Sequence, residues 1–244
     1  MNNMIKLAML ALCGLSASAA NAAIALDRTR VVFPGGTSVI SLKVDNNNKD
    51  KPYLAQAWLE DANGNKINSP FTALPPIQRV EPNTSSMVQI RALPAVNLLP
   101  QDKESLFYFN LREVPPKSEK PNVLQLALQT KIKFFYRPQA LIVPADSNKA
   151  PWQEQVRLQQ DGDGYKLENP TPYYITVVEA AKGSNEKSID RFEALMLAPK
   201  SSSKINLNGN VLGSTPSFIY VDDYGGRRQL NYRCGTGCQL QPAN

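Results

Sequence analysis

Residues Leu99–Pro115 read LPQDKESLFYFNLREVP, and residues Val123–Tyr136 read VLQLALQTKIKFFY. In the second stretch Leu124, Leu126 and Leu128, here called the leucine segment, alternate with polar or small residues. This alternation is the period of a strand that has one apolar face. The leucines need an apolar partner, which is either the core of this chain or a surface of another chain. The choice between these two partners decides the function.

Further strand-like runs recur along the chain, bounded by clusters of Asn, Gly, Pro and Ser. This spacing is typical of β-sandwiches and barrels, so we expect an all-β fold. The other predicted strands are Thr29–Phe33, Val39–Val44, Tyr53–Glu60, Met87–Ala92, Ser105–Arg112, Gln155–Leu158, Tyr165–Glu168, Tyr174–Val178, Ser203–Ile205, Ser217–Val221 and Arg228–Arg233.

The length of 244 residues suits two domains. The sequence Arg137-Pro138-Gln139-Ala140 ends the long strand, because proline cannot continue a strand ladder. We therefore expect an N-terminal domain over residues 23–140 and a C-terminal domain over residues 141–244.

The first 22 residues have the pattern of a signal peptide. Lys6 is followed by the apolar run Leu7–Ala20, which is too short to span a bilayer. Ala20-Asn21-Ala22 has the small-x-small form of a signal-peptidase site, so we expect cleavage after Ala22 and export of the mature chain. A lipoprotein anchored through Cys13 is the alternative, but Leu12 stands where a small residue is required. We expect no stable membrane insertion of the mature chain.

Two cysteines remain after this cleavage, Cys234 and Cys238. An even pair in an exported chain favours a structural disulfide. A metal or redox site is the alternative. The chain has no histidine, and two cysteines alone do not complete a zinc site of the usual types. We therefore expect neither a metal nor a cofactor.

The composition also limits the chemistry. Without histidine, the Ser-His-Asp and Cys-His arrangements are excluded, and no other catalytic motif is evident. We therefore do not expect an enzyme. The net charge of +6 is spread along the chain without a basic run suited to nucleic acid. In an exported protein, this charge fits an acidic partner or a carboxylate ligand better.

Six stretches carry a resemblance to a known family. The chain resembles the periplasmic pilus-assembly chaperones over essentially its whole mature length. The resemblance implies two immunoglobulin-like β-sandwich domains set at an angle, like a boomerang, with a cleft between them. The six stretches are the opening segment Leu99–Pro115, which looks like the signature of the family, and LDRTRVVF (Leu26–Phe33), PYLAQAW (Pro52–Trp58), QTKIKFFYRP (Gln129–Pro138), ENPTPYY (Glu168–Tyr174) and DDYGGR (Asp222–Arg227).

The same resemblance implies a function in pilus assembly. Such a chaperone captures a pilin subunit whose sandwich lacks its last strand and fills the gap with a strand of its own. The subunit is then delivered to an outer-membrane usher, without nucleotide. An uncovered apolar strand is an aggregation hazard, so we also expect self-association of the free protein.

Three groups of residues match functional positions of the family. The leucine segment matches the strand that is donated to the subunit. Its alternative is a place in the core of this chain, where most alternating leucines are found. Glu104, Arg137 and Asp223, here called the interdomain cluster, match charged residues that orient the two domains. Their alternative is three unrelated surface charges.

Arg30 and Lys133, here called the anchor pair, match two cleft residues that hold the C-terminal carboxylate of the subunit. Ordinary surface charge is the alternative. Strict alternation places Lys133 on the face opposite the leucine segment, and a bulge or strong twist between Leu128 and Lys133 would reconcile the two. Lys131 is the alternative anchor on chemistry alone.

Two other functions remain alternatives. A secreted β-sandwich binding module or a fimbrial subunit would share the export signal and the strands. A subunit should carry an N-terminal donor extension, whereas this chain begins almost at once with the strand-like LDRTRVVF. An exported hydrolase would require a catalytic constellation that the sequence does not contain.

Overall fold

The computed structural model describes residues 23–118, 122–144, 147 and 150–242. The predicted signal peptide and Cys13 lie outside these residues. The strands of the first half are β1 (Ile24–Leu26), β2 (Arg30–Pro34), β3 (Val39–Asn46), β4 (Tyr53–Glu60), β5 (Lys66–Ile67), β6 (Phe71–Leu74), β7 (Ile77–Val80), β8 (Ser85–Ala92), β9 (Ser105–Val114) and β10 (Gln129–Arg137). The strands of the second half are β11 (Arg157–Asp161), β12 (Gly164–Asn169), β13 (Ile175–Ala181), β14 (Leu195–Leu197), β15 (Ser201–Asn208), β16 (Ser217–Val221), β17 (Arg227–Cys234) and β18 (Cys238–Gln241).

The first half is a sandwich of two sheets. One sheet has the strand order β1-β3-β8-β6, and the other has the order β2-β10-β9-β4-β5 with β7 also paired to β4. Alternation along β4 shows how the core forms, since Ala55, Ala57 and Leu59 are buried while Gln56 and Trp58 face outward. The core fills the space between the sheets and includes Phe33, Phe71, Phe109 and Phe134.

The second half is a smaller sandwich with a core of its own. Its sheets have the orders β11-β12-β15 and β14-β13-β16-β17-β18. Leu167, Ile175, Leu197 and Phe218 are among the fully buried side chains between them. Short helical turns lie at Pro94–Leu98, Gln139–Leu141, Trp152–Gln155 and Gly209–Leu212.

The expected fold class is confirmed, because the described residues form two all-β sandwiches. The expected disulfide is also present, since Cys234 and Cys238 are bonded across the hairpin that joins β17 and β18. Asp161 pairs with Gly164 across a two-residue hairpin. No helix of the described ranges is long and apolar enough to cross a membrane.

The prediction for the long strand was wrong at its start. Val123–Tyr136 was expected to be one strand, but β10 begins only at Gln129. From that residue onward β10 pairs with β9, beginning with Gln129 opposite Arg112. Residues 123–128 have a strand-like sequence without a strand assignment. Side-chain alternation alone therefore does not make a strand, which also needs a neighbouring backbone.

Candidate functional site

The outer face of β10 carries charged side chains from one end of the strand to the other. Ile132 and Phe134 point into the first core, so alternation places Lys131, Lys133 and Arg137 on the opposite face. Lys131 is exposed, Lys133 is half-buried and Arg137 is buried. The increasing burial shows that the second domain covers the C-terminal end of this face.

The anchor pair lies at the middle of this face. Arg30 on β2 and Lys133 on β10 are directly opposite each other in the parallel pairing of the two strands. Arg30 donates from Nη1 to the backbone oxygen of Val221 (3.0 Å), which belongs to the second domain. Arg30 Nε is buried and has no hydrogen-bond partner in the part of the chain that the structure describes. Among the described residues, neither side chain of the pair lies within 4.0 Å of a carboxylate oxygen.

The electrostatics of the anchor pair reflect this lack of a counter-ion. Burial lowers the pKa of Lys133, and the charge of Arg30 lowers it further. Burial also lowers the pKa of Arg30, although Asp223 and Asp222 act in the opposite direction. Two half-desolvated cations side by side favour binding of an anion, because an anion relieves both the burial cost and the mutual repulsion.

Lys133 reaches the cleft without a bulge in β10. The pairing of β10 with β9 runs without a register shift from Gln129 to Tyr136. Within β10, Lys133 therefore projects on the side opposite Ile132 and Phe134, as strict alternation requires. The alternative anchor, Lys131, is already paired, because its Nζ lies 2.6 Å from Glu60 Oε2.

The leucine segment does not belong to either core. Leu124, Leu126 and Leu128 are 84%, 67% and 43% exposed, respectively. The backbone N–H of Glu113 donates to the carbonyl oxygen of Leu128 (3.0 Å), which ties the end of the segment to β9. The interpretation of these leucines as core residues was therefore wrong, and they form an exposed apolar row.

An open strand edge continues from the leucine segment to the anchor pair. β2 pairs with β10 only from Lys133 onward, because β2 begins at Arg30. Residues Gln129–Ile132 of β10 are thus paired with β9 on one side and with no described strand on the other. A groove of about 560 Å³ opens beside this edge and is lined in part by Ile24, Leu26, Thr130 and Ile132.

The interdomain cluster joins the two sandwiches. Arg137 Nε donates to Glu104 Oε1 (2.7 Å), while Nη1 and Nη2 donate to Asp223 Oδ2 (2.6 Å) and Oδ1 (3.0 Å). Burial alone would lower the pKa of Arg137, but the two carboxylates raise it. Burial raises the pKa of Glu104, against the lowering effect of Arg137. Every charged group of this cluster thus has an ionic partner inside the protein.

Backbone and aromatic contacts reinforce the same junction. Glu104 accepts the backbone N–H of Tyr174 at Oε2 (2.7 Å) and donates its own backbone N–H to the oxygen of Pro172 (2.9 Å). The guanidinium of Arg137 lies over the rings of Trp152 (4.8 Å) and Tyr173 (5.0 Å). Such desolvated cation–π contacts add to the ionic ones and fix the second domain against β10.

Comparisons with known proteins match both domains. A family model described as "Pili and flagellar-assembly chaperone, PapD N-terminal domain" matches residues 23–142, and "Pili assembly chaperone PapD, C-terminal domain" matches residues 151–232. Chaperone protein PapD of Escherichia coli is 48% identical over 227 residues, which cover 92% of each chain. The chain belongs to the pilus-assembly chaperone family.

Solved structures agree with this assignment. The crystal structure of the periplasmic chaperone SfaE matches with a TM-score of 0.68 and 31% identity, covering 85% of this chain and 98% of that one. The Salmonella enterica SafA pilin in complex with the SafB chaperone matches with a TM-score of 0.68 and 26% identity, covering 86% and 96%. The expected two immunoglobulin-like domains of a pilus-assembly chaperone are thereby confirmed.

Several residues of the cleft had no predicted role. Trp152 and Tyr173 flank Arg137, and Phe135 stacks on Tyr174 with ring centroids 5.5 Å apart. Tyr173 and Tyr174 lie within a stretch that carried the family resemblance, but nothing in the local pattern indicated contact with the first domain. Val221 was also missed, because it contributes only a backbone oxygen. Any residue type can supply a backbone oxygen, so the sequence does not indicate such a contact.

Proposed function

We propose that this chaperone captures pilin subunits by donor-strand complementation in the periplasm and passes them to an outer-membrane usher. The proposal includes export with removal of residues 1–22 and a division of the mature chain at residues 140 and 141. It involves no enzymatic step and no cofactor. The observation that carries it is the exposed leucine segment, which leads directly into an open strand edge that ends at the anchor pair.

The open edge suits a strand supplied by another chain. β2 runs parallel to β10 and begins opposite Lys133. A subunit strand that pairs with residues 124–132 would lie in line with β2, and running parallel to β10 it would end at Arg30. The backbone groups of an edge strand provide hydrogen bonds for such an added strand, while alternate side chains provide specificity. The SafA–SafB complex, a structural neighbour, joins a chaperone to a pilin.

The anchor pair suits the C-terminal carboxylate of that strand. The guanidinium of Arg30 offers donors in a planar fork, and Lys133 offers a compact charge. Charge-assisted hydrogen bonds to a carboxylate are about twice as strong as neutral ones. Binding the carboxylate at a fixed place would set the register of the subunit strand, so that each leucine meets a defined position of the subunit groove.

The leucine segment suits an incomplete sandwich. A subunit without its last strand exposes an apolar groove, and full burial of each leucine is worth about 1.5–3 kcal/mol. The same exposed leucines are a hazard in the free protein. We therefore also propose that the free chaperone covers them by self-association until a subunit arrives.

Replacement of Leu126 by Glu tests this function. We expect unchanged melting of the free protein, because Leu126 is 67% exposed, and loss of the pilin complex in a periplasmic pull-down. A carboxylate in the apolar groove would be costly. The matched control is Leu98→Glu, which changes a leucine that is 86% exposed and lies away from the open edge.

Two outcomes would count against the proposal. One is a clear fall in the melting temperature of free Leu126→Glu protein, measured where the wild type is monomeric. The other is recovery of pilin by Leu126→Glu at the yield of Leu98→Glu. The first would place Leu126 in the fold, and the second would remove it from the binding surface.

A further inference from the structure

The turn between β16 and β17 approaches the first domain at Arg30. Asp222 Oδ1 accepts the backbone N–H groups of Tyr224 (3.0 Å) and Gly226 (2.7 Å), and the Asp222 N–H donates to the Gly226 oxygen (2.9 Å). These bonds hold the turn in one shape. Val221, the residue before it, supplies the backbone oxygen that Arg30 contacts.

Gly225 lies at the point of closest approach. Its φ of +85° belongs to the left-handed region that favours glycine. A Cβ atom at this position would lie 2.7 Å from Thr29 Oγ1, closer than real Cβ contacts allow, but 4.0 Å from Thr29 Cβ. Thr29 immediately precedes Arg30 in the chain. A Cβ added at Gly225 must therefore move the turn or the Thr29 side chain, which is next to the anchor.

The turn orients Arg30 without neutralising it. Both of its carboxylates have other partners, because Asp223 binds Arg137 and Asp222 is held by its own turn and by Arg228 (3.4 Å). The contact offered to Arg30 is a neutral carbonyl oxygen. The positive charge of Arg30 thus stays available for a ligand while its side chain is held in place.

We propose that Gly225 is a positioning residue for the carboxylate anchor. Its lack of a side chain lets the turn pack against Thr29, and this packing sets the position of Val221 that orients Arg30. The inference rests on the proposed capture of a subunit carboxylate by the anchor pair. It assigns to the second domain a part in ligand binding beyond the ionic junction at Arg137.

The experiment measures the ratio of the affinities for two forms of one pilin peptide. A synthetic peptide of the C-terminal strand of a pilin that the wild-type protein binds is prepared with a free carboxylate and with an amide. The ratio of the two affinities reports the carboxylate contact alone. Arg30→Ala sets the value expected when that contact is lost. For Gly225→Ala, we expect the ratio to fall about tenfold or more while the melting temperature stays within a few degrees of the wild type.

Two variants separate the close contact from backbone strain. Gly64→Ala is the matched control, because Gly64 has nearly the same φ of +86° but only Lys131 Nζ at 4.0 Å from its added Cβ. It should leave the ratio unchanged. Thr29→Ala combined with Gly225→Ala removes the offending oxygen and should restore the ratio. If Gly225→Ala does not fold, Thr29→Leu adds bulk against the unaltered turn and should lower the ratio in its place.

The possible failures are distinguishable. If Arg30→Ala keeps the wild-type ratio, the proposed carboxylate anchor is wrong. If Arg30→Ala loses the ratio and folded Gly225→Ala keeps it, only the role of Gly225 is wrong. A fall of the ratio in Gly64→Ala, or no recovery in the double variant, overturns the role of the Thr29 contact. Retention of the ratio by Thr29→Leu does the same when Gly225→Ala does not fold.

A second inference comes from Glu113, a buried acid outside the cleft. It continues the core-facing series Phe107, Phe109 and Leu111 on β9 and is only 6% exposed. Its Oε2 accepts the backbone N–H of Ile24 (2.9 Å). No Lys or Arg of the described residues lies within 4.0 Å of its carboxylate. Buried carboxylates are normally paired with a cation, so this one has an unmet requirement.

Removal of the signal peptide, on which this inference rests and which is part of the proposed function, would supply the missing cation. Cleavage after Ala22 creates an α-ammonium on Ala23, one peptide unit from the nitrogen that Glu113 already binds. The Ala23 carbonyl accepts the N–H of Asn47 (2.7 Å), which holds this residue in place. We infer that the new N-terminus pairs with Glu113. Because the Glu113 N–H also binds the Leu128 oxygen, the pair would link the N-terminus to the base of the leucine segment.

Selective acetylation of the N-terminus tests this pairing. In the processed protein, we expect acetylation to lower the melting temperature by about 2–4 °C. In Glu113→Gln, the glutamine oxygen can still accept the Ile24 N–H, and acetylation should leave the melting temperature of this variant unchanged. Equal melting of acetylated and free wild type would overturn the inference. The inference would also be overturned if acetylation lowered the melting temperature of Glu113→Gln by the same amount. It would fail, too, if the mass of the mature protein showed a first residue other than Ala23.

Discussion

Lys133 and Arg137 lie four residues apart on the same face of β10, yet their surroundings differ. Arg137 is buried between Glu104 and Asp223 with all its ionic contacts inside the protein. Lys133 is half-buried beside another cation, Arg30, and has no described carboxylate within 4.0 Å. The comparison shows what separates a structural cation from the proposed ligand anchor. Lys133 and Arg137 are both cationic residues on one face of β10. They differ in that the counter-ions of Arg137 belong to this chain, whereas Lys133 has none within reach in the described part of the chain.

The pKa directions express the same difference. The two carboxylates raise the pKa of Arg137 in spite of its burial, whereas burial and the neighbouring Arg30 lower the pKa of Lys133. Removing Arg137 would leave two carboxylates facing each other in a buried junction. Removing Lys133 would relieve a repulsion in the unliganded protein. The two substitutions should therefore have opposite profiles for stability and binding.

Replacement of Arg137 by Ala should have the largest effect on stability. Loss of one partner from a buried ionic group typically costs about 3–5 kcal/mol, because the remaining charges are uncompensated. Urea unfolding followed by tryptophan fluorescence measures this loss of stability, and Trp152, which lies beside Arg137, contributes to the signal. Arg79→Ala is the control, since its pair with Glu81 is exposed and worth about 0–1 kcal/mol. Equal losses in the two variants would contradict the structural role.

Replacement of Lys133 by Ala should have the largest effect on binding. Truncating one member of a desolvated charge contact costs about 2–5 kcal/mol, so affinity for the free-carboxylate pilin peptide should fall about 30-fold or more. The free energy of unfolding should change by less than about 0.5 kcal/mol. Titration calorimetry and urea unfolding of the same sample give both values. Wild-type affinity in Lys133→Ala, or a loss of stability as large as that of Arg137→Ala, would contradict the assignment of Lys133 to binding and Arg137 to stability.

Sequence periodicity predicted the strands better than the cleft. The alternation in Tyr53–Glu60 and Ser217–Val221 predicted both strands with their observed bounds, because each has neighbours on the sheet and one buried face. The short strands β1, β5, β6, β7, β14 and β18 were missed, since runs of two to four residues carry too little periodicity. The Val123–Leu128 part of the long strand was wrong because a strand also requires a partner that only the fold, or another chain, supplies.

The candidate site depended on register, which no single strand reveals. The anchor and interdomain residues came from the family resemblance, and the fold brings Arg30 beside Lys133 and Arg137 beside Asp223. Alternation alone placed Lys133 opposite the core-facing Ile132 and Phe134, and β10 pairs with β9 without a register shift from Gln129 to Tyr136. Val221 and Gly225 were not predictable, because their contributions are a backbone oxygen and a missing side chain.

The lowered pKa of Lys133 predicts a pH dependence of binding that Arg137 does not share. A bound carboxylate raises the pKa of Lys133, so binding takes up a proton once the free protein has lost it. Affinity should be complete below the pKa of free Lys133 and fall as the pH rises through it, beginning below the ordinary lysine value of about 10.4. Lys133→Arg should abolish the decline, because arginine stays charged. A decline of equal size for the amidated peptide would show that other groups cause it.

The smallest effect is expected for Lys131, which is the other lysine on this face of β10. Its Nζ lies 2.6 Å from Glu60 Oε2 and 4.5 Å from the centre of the Tyr108 ring. Lys131 is 42% exposed, and Glu60, at 12% exposure, keeps the hydrogen bond from Trp58 Nε1 (2.9 Å) when Lys131 is removed, so Lys131→Ala should lower the free energy of unfolding much less than Arg137→Ala. Because its charge is already matched, the preference for a free carboxylate over an amide should stay at the wild-type value. Comparison with Lys133→Ala by peptide titration is decisive, since the two lysines are two residues apart and share a strand face. Loss of the preference in Lys131→Ala, with retention in Lys133→Ala, would move the anchor to Lys131. It would also show that a built-in counter-ion does not prevent a cation from holding the ligand.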